Sequence, residues 1–403
     1  MNDRPILVRV LAHDAGVTAR ERLDEYLAGD DLAVAADAAD LPILVVDDAP
    51  PVAAQVVQAL ESAGAVARLS AARLVVVARR SQLERACDGI APSERTLLNA
   101  LVGGWDGAMG RPQQLRARTK TVDFADGAAV MGILNVTPDS FYDRGEYHAV
   151  DRARRRAHEM VAQGARVIDI GGQSYAHWNR RIAAGEERAR VVPVVEALVR
   201  DELGCAISID TFKATVAAGA LDAGADLIND CSGLSDPELA ATVARYDAAL
   251  VVMHLRGELN VRAPQYPYAD AMAEIVGFLR ECVELAAAAG VARDSLAIDP
   301  GLEFGKEPPT DLEILERFGD LRVLGLPILF AASRKSFIGR VFDRPARDLL
   351  VPSLATAALG IAAGAQLVRV HDVAETVALA RMMGVVRRDR RRKVHYADAM
   401  PTG

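Results

Sequence analysis

The chain is poor in the groups that build disulfide-bonded, zinc-binding and membrane proteins. Its 403 residues include four cysteines, Cys87, Cys205, Cys231 and Cys282, far apart and with no Cys-x-x-Cys pair. That spacing excludes a disulfide framework and a thiolate zinc site, and it reads as the reduced core thiols of a cytosolic protein. The seven histidines form no cluster suited to zinc. No apolar run approaches the roughly 18 residues that a membrane helix needs, and Asp3 and Arg4 stand where a secretory signal needs an apolar segment. Excess positive charge is also missing. The net charge of −8 argues against a general nucleic-acid binder, and the one basic run, Arg387-Arg-Asp-Arg-Arg-Arg-Lys393, reads as a solvated extension. The expectation is a cytoplasmic protein with neither nucleic-acid nor membrane partners.

Apolar residues make up 51% of the chain, enough for a large core. The length suits a barrel of about 250 residues with a smaller unit attached. Residues 1–110 alternate strand-like runs at 6–11, 42–46 and 73–78 with helix-like runs at 52–63, 81–88 and 93–103. They predict a small α/β accessory domain. It has no phosphate loop, Gly-rich fingerprint or metal-ligand cluster, so packing or oligomerisation is its expected role. Residues 111–125 read as linker and lead-in, and 388–403 as an Arg-rich C-terminal tail.

Residues 126–387 repeat one pattern with a period of about 30 residues. Eight strand candidates, at 128–135, 167–171, 206–210, 227–230, 249–254, 296–299, 327–332 and 367–371, alternate with amphipathic helices. Several helices end at a Gly-Ala pair, as at Gly164, Gly224 and Gly364, where glycine supplies a left-handed C-cap. Eight such units predict a (β/α)8 TIM barrel. A doubly wound sheet would place a Gly-rich loop after its first strand, and Asn135-Val-Thr-Pro-Asp-Ser140 is not one.

Sites in such barrels lie at the C-terminal ends of the strands. Every candidate strand carries polar groups there: Asn135; Asp169, Gln173 and Ser174; Asp210; Asn229 and Asp230; His254 beside Met253; Asp299; Ser333, Arg334, Lys335 and Ser336; Arg369, His371 and Asp372. A buried polar group without a partner costs about 1–3 kcal/mol. Asp169, Asp230 and Asp372 suit satisfied structural roles, but a complete ring of polar groups is a site. Asp210, Asn229 and Asp299 can read the donor and acceptor edge of a flat heterocycle. Lys335, Arg369 and His371 offer positive charge to a phosphate or diphosphate. Asn135 and the loop 139–143 offer hard oxygens that suit magnesium beside the same diphosphate. No Ser-His-Asp spacing is present, and no residue is assigned as a general acid or base.

Taken in order, eight segments carry a resemblance: Met131-Gly-Ile-Leu-Asn-Val-Thr-Pro-Asp-Ser-Phe141, Ile168-Asp-Ile-Gly-Gly172, Ile207-Ser-Ile-Asp-Thr-Phe-Lys213, Ile228-Asn-Asp230, Val252-Met-His254, Asp299-Pro-Gly-Leu-Glu-Phe-Gly-Lys306, Ser333-Arg-Lys-Ser-Phe-Ile-Gly339 and Arg369-Val-His-Asp-Val373. Together they resemble dihydropteroate synthase over about residues 126–385. Residues 1–110 are similar, more weakly, to an extra domain found before the barrel in some longer members. The resemblance implies condensation of a dihydropterin methyl diphosphate with 4-aminobenzoate in folate synthesis, with diphosphate leaving and Mg2+ assisting. It assigns Asp210, Asn229, Asp299, Lys335, Met253 and Phe304 to the pterin, and Asn135, Arg369 and His371 to the diphosphate. Asn135 also serves the metal. Phe141, Asp143, Ser174, Tyr175 and Ser336 fall to the second-substrate loops, and a homodimer is implied.

One loop departs. The family usually reads Gly-Gly-Glu-Ser-Thr-Arg-Pro-Gly where this chain reads Gly171-Gly-Gln-Ser-Tyr-Ala-His-Trp178. An arginine is lost there, with Arg144, Arg180 and Arg181 as candidate replacements, and Glu303 stands at a usual glycine. The altered loop keeps two further readings open: a pterin-binding paralogue without synthase activity, or one using another amine. A methyltetrahydrofolate-type methyltransferase is a third, disfavoured because its substrate gives the cationic set no diphosphate to bind.

Overall fold

The computed structural model describes residues 8–11, 43–47, 49–70, 73–88, 90–137, 146–175, 181–260 and 267–389. Strands β1 (Val8–Leu11), β2 (Ile43–Val46), β3 (Val66–Ser70) and β4 (Arg73–Val77) form an antiparallel sheet in the order β1-β2-β4-β3. Helices α1 (Ala53–Ser62), α2 (Arg80–Cys87) and α3 (Pro92–Met109) bury Val56, Leu60, Leu83, Leu97 and Leu101 with Leu44, Val46, Leu74 and Val76 of the sheet. The strand β3 has no counterpart in the sequence reading. Helix α3 also runs past the expected end at residue 103, through Gly103, Gly104 and Gly107. These glycines look like terminators, but two of them are contacts. A Cβ on Gly104 would sit 2.6 Å from Val8 Cγ1, and one on Gly107 would sit 2.2 Å from the Val323 carbonyl oxygen.

The segment read as linker and lead-in folds as a hairpin of β5 (Gln114–Arg116) and β6 (Thr121–Asp123). Leu115, Val122 and Phe124 pack there on Met131, Val167, Ala206, Leu227, Val251, Leu329 and Leu367. The hairpin closes the end of the barrel where the strands begin.

The barrel strands are β7 (Ala129–Asn135), β8 (Val167–Gly171), β9 (Ala206–Asp210), β10 (Leu227–Asp230), β11 (Ala249–Met253), β12 (Leu296–Asp299), β13 (Leu329–Phe330) and β14 (Leu367–Val370). All neighbours pair in parallel, and a bridge between Ile298 and Ile328 joins the two outer strands. The predicted TIM barrel is therefore present. Near-continuous apolar runs suit strands that are covered on both faces. The register sets Asn135 opposite Gly171, Gly171 opposite Asp210, Asp210 opposite Asn229, and Met253 opposite Asp299. The strand ends thus share one level.

The surrounding helices are α4 (Glu146–Ala162), α5 (Ala184–Arg200), α6 (Ala214–Asp222), α7 (Leu239–Arg245), α8 (Ala271–Ala288), α9 (Pro308–Glu316), α10 (Ser336–Phe342), α11 (Leu350–Ala363) and α12 (Val373–Asp389). The short α10 is an addition to the sequence reading, and α12 runs two residues into the expected tail. No helix among the described residues is long and apolar enough to cross a membrane. All four cysteines are free thiols, three of them buried.

Candidate active site

The floor of the site is a set of buried carboxylates tied to one arginine. Arg369 at the end of β14 donates through Nε to Asp169 Oδ2 at 2.6 Å and through Nη2 to Asp210 Oδ2 at 2.7 Å. Asp169 also accepts from Ser208 Oγ at 2.5 Å and Asn229 Nδ2 at 3.1 Å. It is fully engaged, as is Asp230, which accepts from Ser232 and Leu234. Asp210 is different: its second oxygen, Oδ1, is buried and has no partner among the described residues. Burial pushes its carboxyl up to about 7 against the pull of Arg369. A buried acceptor left open beside an aromatic and thioether wall is the mark of a ligand that donates.

That wall consists of Met253, Phe212, Cys231 and Leu259, packed against Tyr175, Leu255 and Phe304. Asp299 lies across from Met253, and its Oδ1 accepts the Gly301 N–H at 2.7 Å. Lys335 reaches the same place from the start of α10, its Nζ 2.6 Å from the Leu302 carbonyl and 4.9 Å from the centre of the Phe304 ring. The loop after β12 must double back closely to allow this. Gly301 and Gly305 have φ near +69° and +68°, and a Cβ on either would lie within 1.9 Å of a backbone carbonyl oxygen. Lys306 then folds inward and donates to the carbonyls of His254, Gly301 and Phe304.

Asn135 stands exposed at the end of β7. A side chain on Gly171 would lie 3.2 Å from Asn135 Oδ1 and 3.7 Å from Asp210 Oδ2, so a bare backbone keeps that gap open. His371 lies next to Ser333, its Nδ1 3.2 Å from Ser333 Oγ. The ring is exposed, and the neighbouring Arg369 disfavours its charged form. Arg334, from the same strand end as Lys335, is fully engaged. It forms a fork onto Asp372 at 2.7 and 2.8 Å and holds the carbonyls of Ala346 and Arg347. It ties the loop after β13 to the end of β14.

Of the second-substrate candidates, Phe141 and Asp143 lie outside the described residues. Ser336 is exposed at the first position of α10. The Ser174 carbonyl accepts from Asn260 Nδ2 at 2.9 Å. Tyr175 donates to the Asp210 carbonyl at 3.1 Å, with its ring 6.1 Å from that of Phe212. Beneath this loop is a network absent from the sequence reading. Lys213 Nζ donates to Glu187 Oε2 at 2.5 Å and to Gln173 Oε1 at 2.7 Å, while Gln173 Nε2 donates to Asn260 Oδ1 at 2.9 Å. Glu187 already neutralises the lysine. A glutamate at 173 would set a second buried carboxylate beside the first, whereas a neutral amide accepts and donates at once. The order Asp-Thr-Phe-Lys is visible in sequence, but the partners of Lys213 lie 26 and 40 residues away.

The cations around the strand ends are mostly engaged. Arg190 binds Glu186 and Arg256 binds Glu274, while Lys213, Lys306, Arg334 and Arg369 are held as described. Arg181 has no carboxylate partner among the described residues. Its guanidinium lies 4.7 Å from the centre of the Phe212 ring, exposed beside the Tyr175 loop.

Residues 131–371 match the family of pterin binding enzymes. The chain is 40% identical over 272 residues to the dihydropteroate synthase of Bacillus subtilis, covering 67% of this chain and 93% of that one. Among solved structures it resembles the Xanthomonas albilineans dihydropteroate synthase with 4-aminobenzoic acid, at 36% identity and a TM-score of 0.64, covering 70% of this chain and all of that one. It is also similar to the Burkholderia cenocepacia enzyme complexed with 7,8-dihydropteroate, at 37% identity and a TM-score of 0.63, covering 70% and 99%. On the family match across the barrel and the near-complete cover of these relatives, the chain belongs to the dihydropteroate synthases of the pterin binding enzyme family.

Proposed function

We infer that this chain is a transferase that joins a dihydropterin methyl diphosphate to 4-aminobenzoate, giving 7,8-dihydropteroate and diphosphate. The observation that carries the reading is the buried, unpartnered Asp210 Oδ1 at the floor of an aromatic-walled site. A pterin edge rich in N–H donors would complete it. Asn229 and Asp299 would read the rest of that edge, and Met253, Phe304 and Lys335 would hold the ring. The relatives solved with 4-aminobenzoic acid and with 7,8-dihydropteroate support both halves of the reaction.

In the step itself the methylene–oxygen bond of the pterin breaks and its electron pair leaves with diphosphate. The aromatic amine supplies the pair for the new carbon–nitrogen bond and loses one proton. Stabilising the departing anion is the main task, and it is electrostatic. Arg369 and a hydrogen-bonding His371 are proposed to serve it. Among the described residues no group of three His, Cys, Asp or Glu side chains could hold a metal. Asn135 offers one hard oxygen and would hold a magnesium ion together with oxygens of the diphosphate. Such an ion would supply charge neutralisation to the leaving group.

Arg181 is proposed to face the carboxylate of the second substrate, since it is held by an aromatic face and has no carboxylate partner among the described residues. A homodimer is proposed through α11 and α12, which pack together and expose Val351, Leu359, Met382, Val385 and Val386. Free cysteines support a cytoplasmic setting.

The test is an assay with both substrates and magnesium in which dihydropteroate and diphosphate are followed together. Formation of both in equal amounts is expected. Diphosphate without dihydropteroate would favour another amine, a reading that the Tyr175 loop alone recommends. Neither product, with the pterin still bound tightly, would sink the synthase reading.

A further inference from the structure

Glu303 stands in a conformation that most side chains avoid. Its φ is +68°, in the left-handed region that its neighbours Gly301 and Gly305 share. A glycine would take that angle more easily. The side chain is instead tied down at both ends. Its Oε1 accepts the Phe337 N–H at 2.6 Å, in the first turn of α10. Its own N–H donates to Asp311 Oδ1 on α9 at 2.7 Å. Alongside, Lys335 Nζ donates to the Leu302 carbonyl at 2.6 Å. Two bonds, both donated from the start of α10, thus join it to the loop after β12. They fix Phe304 on one side of the junction and Lys335 on the other.

The same junction concerns charge. Burial disfavours the Lys335 ammonium, and Glu303 provides the largest opposing pull, followed by Asp299 and Asp311. Two cations act against it: Arg369 from β14, and Lys306 from the loop after β12. Glu303 is therefore more than an anchor: its carboxylate is bound two residues from Lys335, Lys335 Nζ is bound to the carbonyl next to Glu303, and of the three nearby carboxylates it favours the ammonium most.

We propose that Glu303 is a positioning residue for Lys335, pinning the start of α10 to the pterin loop and keeping the lysine charged where it meets the ligand. The proposal rests on the reading of Lys335 as a pterin-binding residue. A structural pin would need only the hydrogen bond. A positioning carboxylate would need its charge as well, and two variants separate these roles. Glu303→Gln keeps an acceptor for the Phe337 N–H and removes the charge. Glu303→Gly removes both and relaxes the backbone.

The measurement is calorimetric binding of dihydropterin methyl diphosphate to the full chain between about pH 6.5 and 10. The wild-type affinity is expected to fall on the alkaline side as Lys335 loses its proton. Without the Glu303 carboxylate the lysine gives up that proton more readily, so in Glu303→Gln the fall moves to lower pH. The expected shift is about one unit, with affinity at pH 6.5 within about twofold of wild type. Glu303→Gly should show the same shift and weaker binding throughout. Lys335→Arg, whose cation does not titrate in this range, should lose the alkaline fall. An unmoved profile in both Glu303 variants, or a fall that persists in Lys335→Arg, overturns the proposal while leaving the pterin reading in place. A wild-type chain that binds no pterin overturns the reading and the proposal together.

Discussion

Asp210 carries opposing demands on one side chain. Arg369 holds one oxygen, burial raises the carboxyl to about 7, and the other oxygen is left open. A pterin edge donates to a carboxylate and not to a protonated acid. Affinity should therefore fall as the pH drops below about 7, by close to tenfold per unit once protonation dominates. Asp210→Asn should abolish that acid limb and weaken pterin binding by more than tenfold at pH 8, about 1.4 kcal/mol or more. Calorimetry across the pH range checks both, and an affinity within threefold of wild type would remove Asp210 from the floor. Arg181→Ala should raise KM for 4-aminobenzoate by about tenfold with kcat little changed, since its charge serves binding alone. An unchanged KM would return that role to another group. The position of Asp210, Asn229 and Asp299 at strand ends was legible in the sequence because each closes an apolar run. The Arg334–Asp372 pair was not visible because Ser-Arg-Lys does not reveal its partner, and the Lys213–Glu187–Gln173 network was hidden because its members are distant in sequence.

Elements were legible in proportion to how much apolar sequence they carry. Strands β8, β9, β10 and β12 match their expected bounds residue for residue, because each is a short buried run, ended by glycine in β8 and by aspartate in the others. The hairpin of β5 and β6 was not, since its strands have three residues each and bury one side chain apiece. Helix α3 shows how a local signal loses to packing. Glycine inside a helix costs about 1 kcal/mol relative to alanine, so three glycines read as an end. At Gly107 the alternative is worse: a methyl group would lie 2.2 Å from the Val323 carbonyl oxygen, a backbone atom that cannot rotate away. Gly107→Ala should therefore lower stability by about 1–3 kcal/mol in spite of better helix propensity, read as a lower Tm and urea midpoint. A gain in Tm would show that α3 and the 318–324 segment can separate at little cost.

The whole molecule has two dissimilar ends and one apolar flank. The hairpin seals the end where strands begin, and the polar ring opens at the other, so substrates have one face to enter. The antiparallel unit docks on the side, through Val8, Gly104 and Gly107 against the segment 318–324, and leaves the strand ends clear. Helices α11 and α12 are left uncovered. Val351 is 73% exposed and Met382 62%, with Val385 and Val386 one turn further along α12. Apolar side chains exposed singly are ordinary, but a cluster on two packed helices is a surface that another copy would cover. A twofold interface places each of these residues near its own counterpart, so one substitution acts twice. Val351→Asp with Met382→Asp should convert a species of twice the 43.0 kDa chain mass into a monomer, measured by sedimentation. The two carboxylates sit on solvent-facing positions of the monomer, so its Tm should fall only by the share that association contributed, and that share should grow with protein concentration in the wild type. A wild-type mass of 43.0 kDa at all concentrations would reject the dimer, and a doubled mass that survives both substitutions would move the interface to another face.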